Sequence, residues 1–151
     1  MAVTPTPIFG QTPKTGLAIW LNGSTANTKN DGSGTIGTDI MLAYTAGANG
    51  AYIDRIRLYP VATTASTATT ATVARIYIST KTSGATANTN THLWQEMACP
   101  SQTADQPTVA TYPVDVPAQF RIGANETILF SMHHVAAANT MWECLVFATD
   151  F

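Results

Sequence analysis

Apolar and polar positions alternate in short runs from Leu17 to Phe147, parted by segments rich in Thr, Ala, Asn, Gly and Ser. A period of two sends successive side chains to opposite faces of an extended chain, so each run reads as a β-strand. Eight strands are predicted: Gly16–Asn22, Thr38–Tyr44, Ala51–Val61, Ala71–Thr80, His92–Ala98, Thr111–Val116, Glu126–His133 and Met141–Thr149. No window predicts a helix. In the first strand Leu17, Ile19 and Leu21 share one face, and Ala18 and Trp20 the other. Pro113 and Pro117 confine the sixth strand to a sheet edge or to strand ends, because proline donates no ladder hydrogen bond. The eighth strand is apolar on both faces, with Trp142, Cys144 and Val146 set against Met141, Leu145 and Phe147. That predicts a central strand, or an outer face covered by another subunit.

Eight antiparallel strands with long connections predict an all-β chain: one antiparallel β-sandwich of jelly-roll type over residues 15–151. An immunoglobulin-like sandwich is the alternative, but the chain lacks its Cys…Trp…Cys spacing. Residues 1–14 form an extended arm, since Pro5, Pro7 and Pro13 forbid a helix. The arm carries Val3, Ile8 and Phe9, and apolar groups on an extended segment need somewhere to bury. It reads as an arm that docks on a neighbouring subunit or a partner, with a frayed terminus as the plainer alternative. The connection Ala62–Thr70 contains only Ala, Thr and Ser, and Lys81–Asn90 is similar; both are expected to be mobile.

Charge changes the picture next. Charged residues make up 11% of the 151 positions, against ~25% in ordinary soluble domains, and the net charge is -2. So weakly charged a surface tends to associate, which points to burial in an assembly. It offers nothing to a polyanion, so no nucleic-acid partner is expected. No apolar run approaches the ~18 residues that span a bilayer, and Met1–Lys14 has neither the basic nor the apolar region of a secretory signal. The two cysteines, Cys99 and Cys144, could form one bond, but buried free thiols fit better, as free cysteine packs as a small hydrophobe.

Candidate chemistry is sparse. Gly32-Ser33-Gly34-Thr35-Ile36-Gly37 fits the dinucleotide fingerprint, yet a polar loop precedes it and a strand follows, where a strand and a helix are required. His133 and His134 are adjacent on a predicted strand, so they point to opposite faces and cannot share a metal. The acids show no catalytic pairing, and no nucleophile motif occurs. No catalysis, metal or cofactor is expected.

The strongest binding signal lies on the third and fourth strands. Ile53, Arg55, Arg57 and Tyr59 share one face of the third, with Ile56 and Leu58 opposite. Val73, Arg75 and Tyr77 share one face of the fourth. If these strands are neighbours, Arg55, Arg57, Tyr59, Arg75 and Tyr77 form one outward cluster of the residue types enriched at binding hot spots. The alternative is an ordinary solvated face with Arg stems lying on apolar surface. Asp54 falls on the apolar side by strict alternation and has no identifiable partner.

The arm Thr4-Pro5-Thr6-Pro7-Ile8-Phe9, the stretch from Ala51 to Pro60, the strand from Ala74 to Ile78 and Phe130-Ser131-Met132-His133-His134 together resemble head-decoration (cement) proteins of tailed bacteriophages. The resemblance is one of pattern and composition along the whole chain. It implies a β-sandwich that assembles as a homotrimer, binds the major capsid protein on the outer capsid surface, and braces the shell without catalysis. Such a protein would be made in the host cytoplasm. The competing reading is a carbohydrate- or receptor-binding module of a fibre or tail structure, with Trp20, Trp94 or Trp142 as sugar platforms.

Overall fold

The computed structural model describes residue 10 and residues 12–21, 23–64, 67–104 and 113–151. These form twelve strands and no helix: β1 (Thr12–Leu21), β2 (Gly34–Ile36), β3 (Met41–Thr45), β4 (Ala51–Ala62), β5 (Thr67–Ala68), β6 (Thr72–Ser79), β7 (Gly84–Thr86), β8 (Thr91–Cys99), β9 (Thr103–Ala104), β10 (Val114–Ile122), β11 (Thr127–Met132) and β12 (Thr140–Asp150). The eight longer strands build two four-stranded antiparallel sheets, in the orders β1-β12-β4-β10 and β3-β11-β6-β8.

The order has a simple logic. Taking those eight in sequence, the first pairs with the eighth, the second with the seventh, the third with the sixth, and the fourth with the fifth. Four nested antiparallel pairs, rolled so that alternate pairs fall in opposite sheets, make a jelly roll. The predicted fold class is therefore the observed one. The two remaining ribbons are short: β2 pairs with β7, and β5 with β9. Strands β5 and β7 lie in the two connections expected to be mobile, and these carry buried anchors in Thr69 and Thr86.

The core is the space between the sheets. Trp20, Ile53, Ile56, Leu58, Ile76, Ile128, Phe130, Met132, Trp142, Cys144 and Val146 fill it. Trp20 meets Phe130 edge-on at 6.1 Å and donates its indole N–H to the His134 carbonyl at 3.1 Å, so its one polar group is satisfied. Both cysteines are buried free thiols. The first strand begins at Thr12, within the expected arm, and Pro13 is accommodated because β1 is an edge strand. Gly16 is where β1 crosses closest to β3: a Cβ there would lie 2.2 Å from the Ala43 carbonyl oxygen.

Pro117 lies within β10, not at its end. The edge expectation holds, because β10 closes its sheet, and the register breaks just after Pro117. The expected start of this strand at Thr111 lies outside the described residues. A second break explains Asp54. Phe147 pairs with Arg55 and Ala148 with Ile53, leaving Asp54 without a cross-strand partner. This β-bulge shifts the alternation by one residue. Ala51 and Ile53 face the core before it, and Ile56, Leu58, Pro60 and Ala62 after it. Asp54 is thereby exposed, and Ile53 is buried instead of sharing the face of Arg55, Arg57 and Tyr59.

Candidate functional site

The expected five-residue Arg/Tyr cluster does not form. Strands β4 and β6 belong to different sheets, so Arg55, Arg57 and Tyr59 are separated from Arg75 and Tyr77 by the sandwich itself. The cluster required the two strands to be neighbours, but in a jelly roll these consecutive strands cross from one sheet to the other.

Arg75 and Tyr77 point away from the core and are nevertheless buried, at 6% and 0% exposure. The segment from Gly23 to Ile40 covers them. Arg75 donates to the Asn27 carbonyl at 2.8 Å and to Glu96 Oε1 at 2.7 Å, and its Nη2 lies 3.5 Å from His133 Nδ1. The Tyr77 hydroxyl donates to the Lys29 carbonyl at 3.2 Å and lies 3.2 Å from Ser131 Oγ. Ile40, Tyr77 and Leu129 close a second, small apolar cluster beneath the segment, with Ile36 and Leu42 at its margin. Burial raises the Tyr77 phenol above its usual value. These two residues pin a loop; they offer no free surface.

The Gly32–Gly37 fingerprint falls in this same covering segment. Gly32 has φ +83°, and a Cβ there would lie 2.4 Å from the Thr91 carbonyl oxygen; the glycine serves a close backbone approach. No helix follows, so no phosphate-binding helix end exists here. Strand β11 ends at Met132, so His133 and His134 leave the strand alternation. Their rings meet edge-on at 4.8 Å, contrary to the expected opposite faces. Among the described residues, no group of three or more His, Cys, Asp or Glu side chains could hold a metal ion.

What the structure does assemble is the outer face of the first sheet. Ala18 and Trp20 of β1 turn inward, which leaves Leu17, Ile19 and Leu21 in solvent at 52, 39 and 51% exposure. The pairing registers extend them into rows across the sheet. Thr15, Phe147, Arg55 and Pro117 form one row, and Leu17, Leu145, Arg57 and Asp115 the next. Ile19, Glu143 and Tyr59 follow, then Leu21, Met141 and Val61. At sheet spacings these rows cover about 20 Å by 10 Å. Its apolar members, Leu17, Ile19, Leu21, Met141, Leu145, Phe147 and Val61, are interleaved with Arg55, Arg57, Tyr59 and Glu143, a mix of the kind found at protein interfaces.

Arg55, Arg57 and Asp115 on this face are held by specific contacts. Arg57 clamps Asp115 with two bonds of 2.8 Å each. The clamp holds the Asp115 carboxyl below its usual value and raises the Arg57 guanidinium. Arg55 lies over the Phe147 ring, 4.7 Å from its centre, and its Nε is buried without a hydrogen-bond partner. Among the described residues no carboxylate forms an ion pair with it. The arrangement is an apolar strip along β1 and β12, broken by Glu143 and bordered by Arg55, Arg57 and Tyr59, and it is suited to docking.

No protein-family model matches the chain, and no curated protein is similar to it. Among solved structures, the chain is similar to a virus-like particle of the extra small virus of the giant freshwater prawn Macrobrachium rosenbergii. The identity is 12%, the match covers 100% of this chain and 86% of that one, and the TM-score is 0.30. A superposition that loose carries no argument, and the jelly-roll assignment rests on the strand order alone.

Of the residues expected to bind a partner, Arg55, Arg57 and Tyr59 lie on this face, Arg75 and Tyr77 do not, and Ile8 and Phe9 lie outside the described residues. Sequence reasoning did not single out Leu17, Ile19, Leu21, Leu145 and Phe147 as a site. The available signal was that both β1 and β12 are apolar on two faces, when one face alone lines the core.

Of the three proposed sugar platforms, Trp20 and Trp142 are buried at 0 and 1% exposure. Trp94 is half-buried and packs on Phe120 at 4.6 Å. The stacking surface that a sugar needs is turned inward in two of the three.

Proposed function

We propose that this protein is a structural component of a virion that binds the outer surface of a phage capsid and braces it as a decoration protein, without catalysis. The observation that supports this reading is the apolar outer face of the β1-β12-β4 sheet. Leu17 and Leu21 each keep about half their surface in water, and covering them would contribute roughly 1 kcal/mol apiece. A protein that only had to fold would gain nothing by this arrangement. A partner surface of major capsid protein would cover it, with Arg55, Arg57 and Tyr59 as polar anchors at its border.

The test is co-sedimentation of the purified protein with undecorated heads of the phage that encodes it. The wild-type protein is expected in the head pellet at saturable stoichiometry. Leu145→Glu, which puts a charge at the centre of the face while sparing the core, is expected to weaken binding at least tenfold. Wild-type protein that stays in the supernatant while binding an arrayed glycan would replace this reading with the carbohydrate-binding one.

A further inference from the structure

The segment that covers the second sheet is held in two different ways. Its later part is anchored by apolar burial, with Ile40 fully buried and Ile36 packed beside it. Residues 23–33 have no such anchor, since only Asn27 and Gly32 are buried there. Hydrogen bonds hold this part down. The Asn27 backbone N–H donates to the Met132 carbonyl at 3.0 Å. The Asn27 carbonyl accepts from Arg75 at 2.8 Å, and the Lys29 carbonyl from the Tyr77 hydroxyl at 3.2 Å. A cover held by polar contacts responds to a change of charge beneath it, as one held by apolar burial would not.

Arg75 is the charged tie among these, and its surroundings tolerate one positive charge. The guanidinium is buried and can only donate. Nη1 serves the Asn27 carbonyl, Nε serves Glu96 of β8, and Nη2 faces His133 Nδ1 at 3.5 Å. That nitrogen meets a donor as the acceptor of a neutral ring. A proton on His133 removes the acceptor and sets a second cation beside a desolvated one, where like charges repel far more than in water. The remaining charged and titratable groups around the cluster do not offset it. Glu96 is already bonded to Nε. Tyr77 of β6 carries a neutral phenol whose ionisation burial opposes. On the covering segment, exposed Asp31 accepts from the Ser33 N–H and has Lys29 beside it. The His134 ring, edge-on to His133 at 4.8 Å, can add only further positive charge.

We infer that residues 23–33 form an acid-sensitive cover, shut over β6 and β11 while His133 is neutral and lifted when His133 takes a proton. Lifting uncovers Tyr77 and Ser131, both at 0% exposure in the shut state. Closure is complete above the range of about pH 5–8 in which histidines change charge, and is lost as pH falls through it. The device is local, because the core between the sheets contains none of these groups. Neither Arg75 nor His133 belongs to the apolar face of the first sheet, so the inference is independent of the capsid reading.

The experiment measures amide hydrogen exchange of the full chain at about pH 8 and about pH 5, on either side of the histidine range. Each rate is compared with that of the unstructured amide at the same pH, so that only opening is read. Protection of the Asn27 amide is expected to fall about tenfold or more at the lower pH, on the scale of a like-charge contact at a part-buried site. The amides of β12 are expected to keep theirs. His133→Gln, whose side-chain oxygen can accept from Arg75 at either pH, is expected to abolish the fall. His134→Gln is expected to retain it, since Arg75 meets His133 and not its neighbour. Equal protection of Asn27 at both values in the wild type overturns the inference; the protonated ring would then have turned into solvent. So does a fall that persists in His133→Gln, or one shared by the β12 amides, which is acid unfolding of the whole sandwich. Head co-sedimentation at neutral pH is read separately, so failure of the capsid reading would not be mistaken for failure of this one.

Discussion

Single side chains in this fold are judged by which side of a sheet they take. Trp20 shows the cost of an inward one: it is fully buried, edge-on to Phe130, and bonded to the His134 carbonyl. Trp20→Ala leaves a large cavity and an unpaired carbonyl, and is expected to lower stability by about 3–5 kcal/mol in urea denaturation. Trp20→Phe should lose less, because most of the volume remains. The buried thiols supply a pH prediction. Burial pushes Cys99 up to about 11, above the ~8.5 of a free thiol. A raised value means that the folded state keeps its proton while the unfolded chain ionises. Stability is therefore undiminished below about pH 8.5 and falls as pH rises toward 11. Burial raises Cys144, Tyr44 and Tyr77 in the same direction. Urea midpoints at pH 8 and pH 10.5 are expected to show the loss, and Cys99→Ala should show a smaller one.

At the scale of elements, two devices adapt regular strands to the sandwich. The bulge at Asp54 lets β4 face the core with Ile53 on one side and Ile56 on the other. Deleting Asp54 brings Ile53 and Ile56 two positions apart, so both halves of the strand keep their apolar sets on the core face without a bulge. That deletion is expected to keep a cooperative urea transition, whereas inserting one residue after Arg57, which turns Leu58, Pro60 and Ala62 to the outer face, is expected to abolish it. The second device is the Gly23–Ile40 segment strapped over β6 and β11. Arg75 holds its backbone through the Asn27 carbonyl, and Tyr77 through that of Lys29. Arg75→Ala is expected to cost about 2 kcal/mol, the scale of a charge-assisted bond lost from a buried site. Amide exchange should rise first around Asn27, whose backbone N–H is bonded to the Met132 carbonyl. A uniform rise over the whole sheet would show instead that the strap and sandwich open as one unit.

For the whole molecule, the nested pairing sets folding speed. The β1–β12 ladder joins Thr12 to Asp150, so the first strand waits for the last. Asp150 also accepts hydrogen bonds from the Tyr44 hydroxyl and the Gly47 backbone N–H, tying the sheets together at this end. Loop closure over such separations is slow, and stopped-flow refolding is expected on the scale of ~ms to seconds, at the slow end for a domain of this size. The sequence by itself determined the all-β class, the rough position of the eight main strands and the confinement of Pro117 to a sheet edge or a strand end. These follow from local facts: side-chain period, turn composition and a missing N–H. It also exposed the surplus of apolar residues on β12. It did not determine that β4 and β6 lie in different sheets, that a bulge frees Asp54, or that Arg75 and Tyr77 are covered while Leu17, Ile19 and Leu21 are bare. Alternation fixes two faces for a strand, but only the partner sheet decides which face is inside, and only a distant loop decides whether the outer face stays dry.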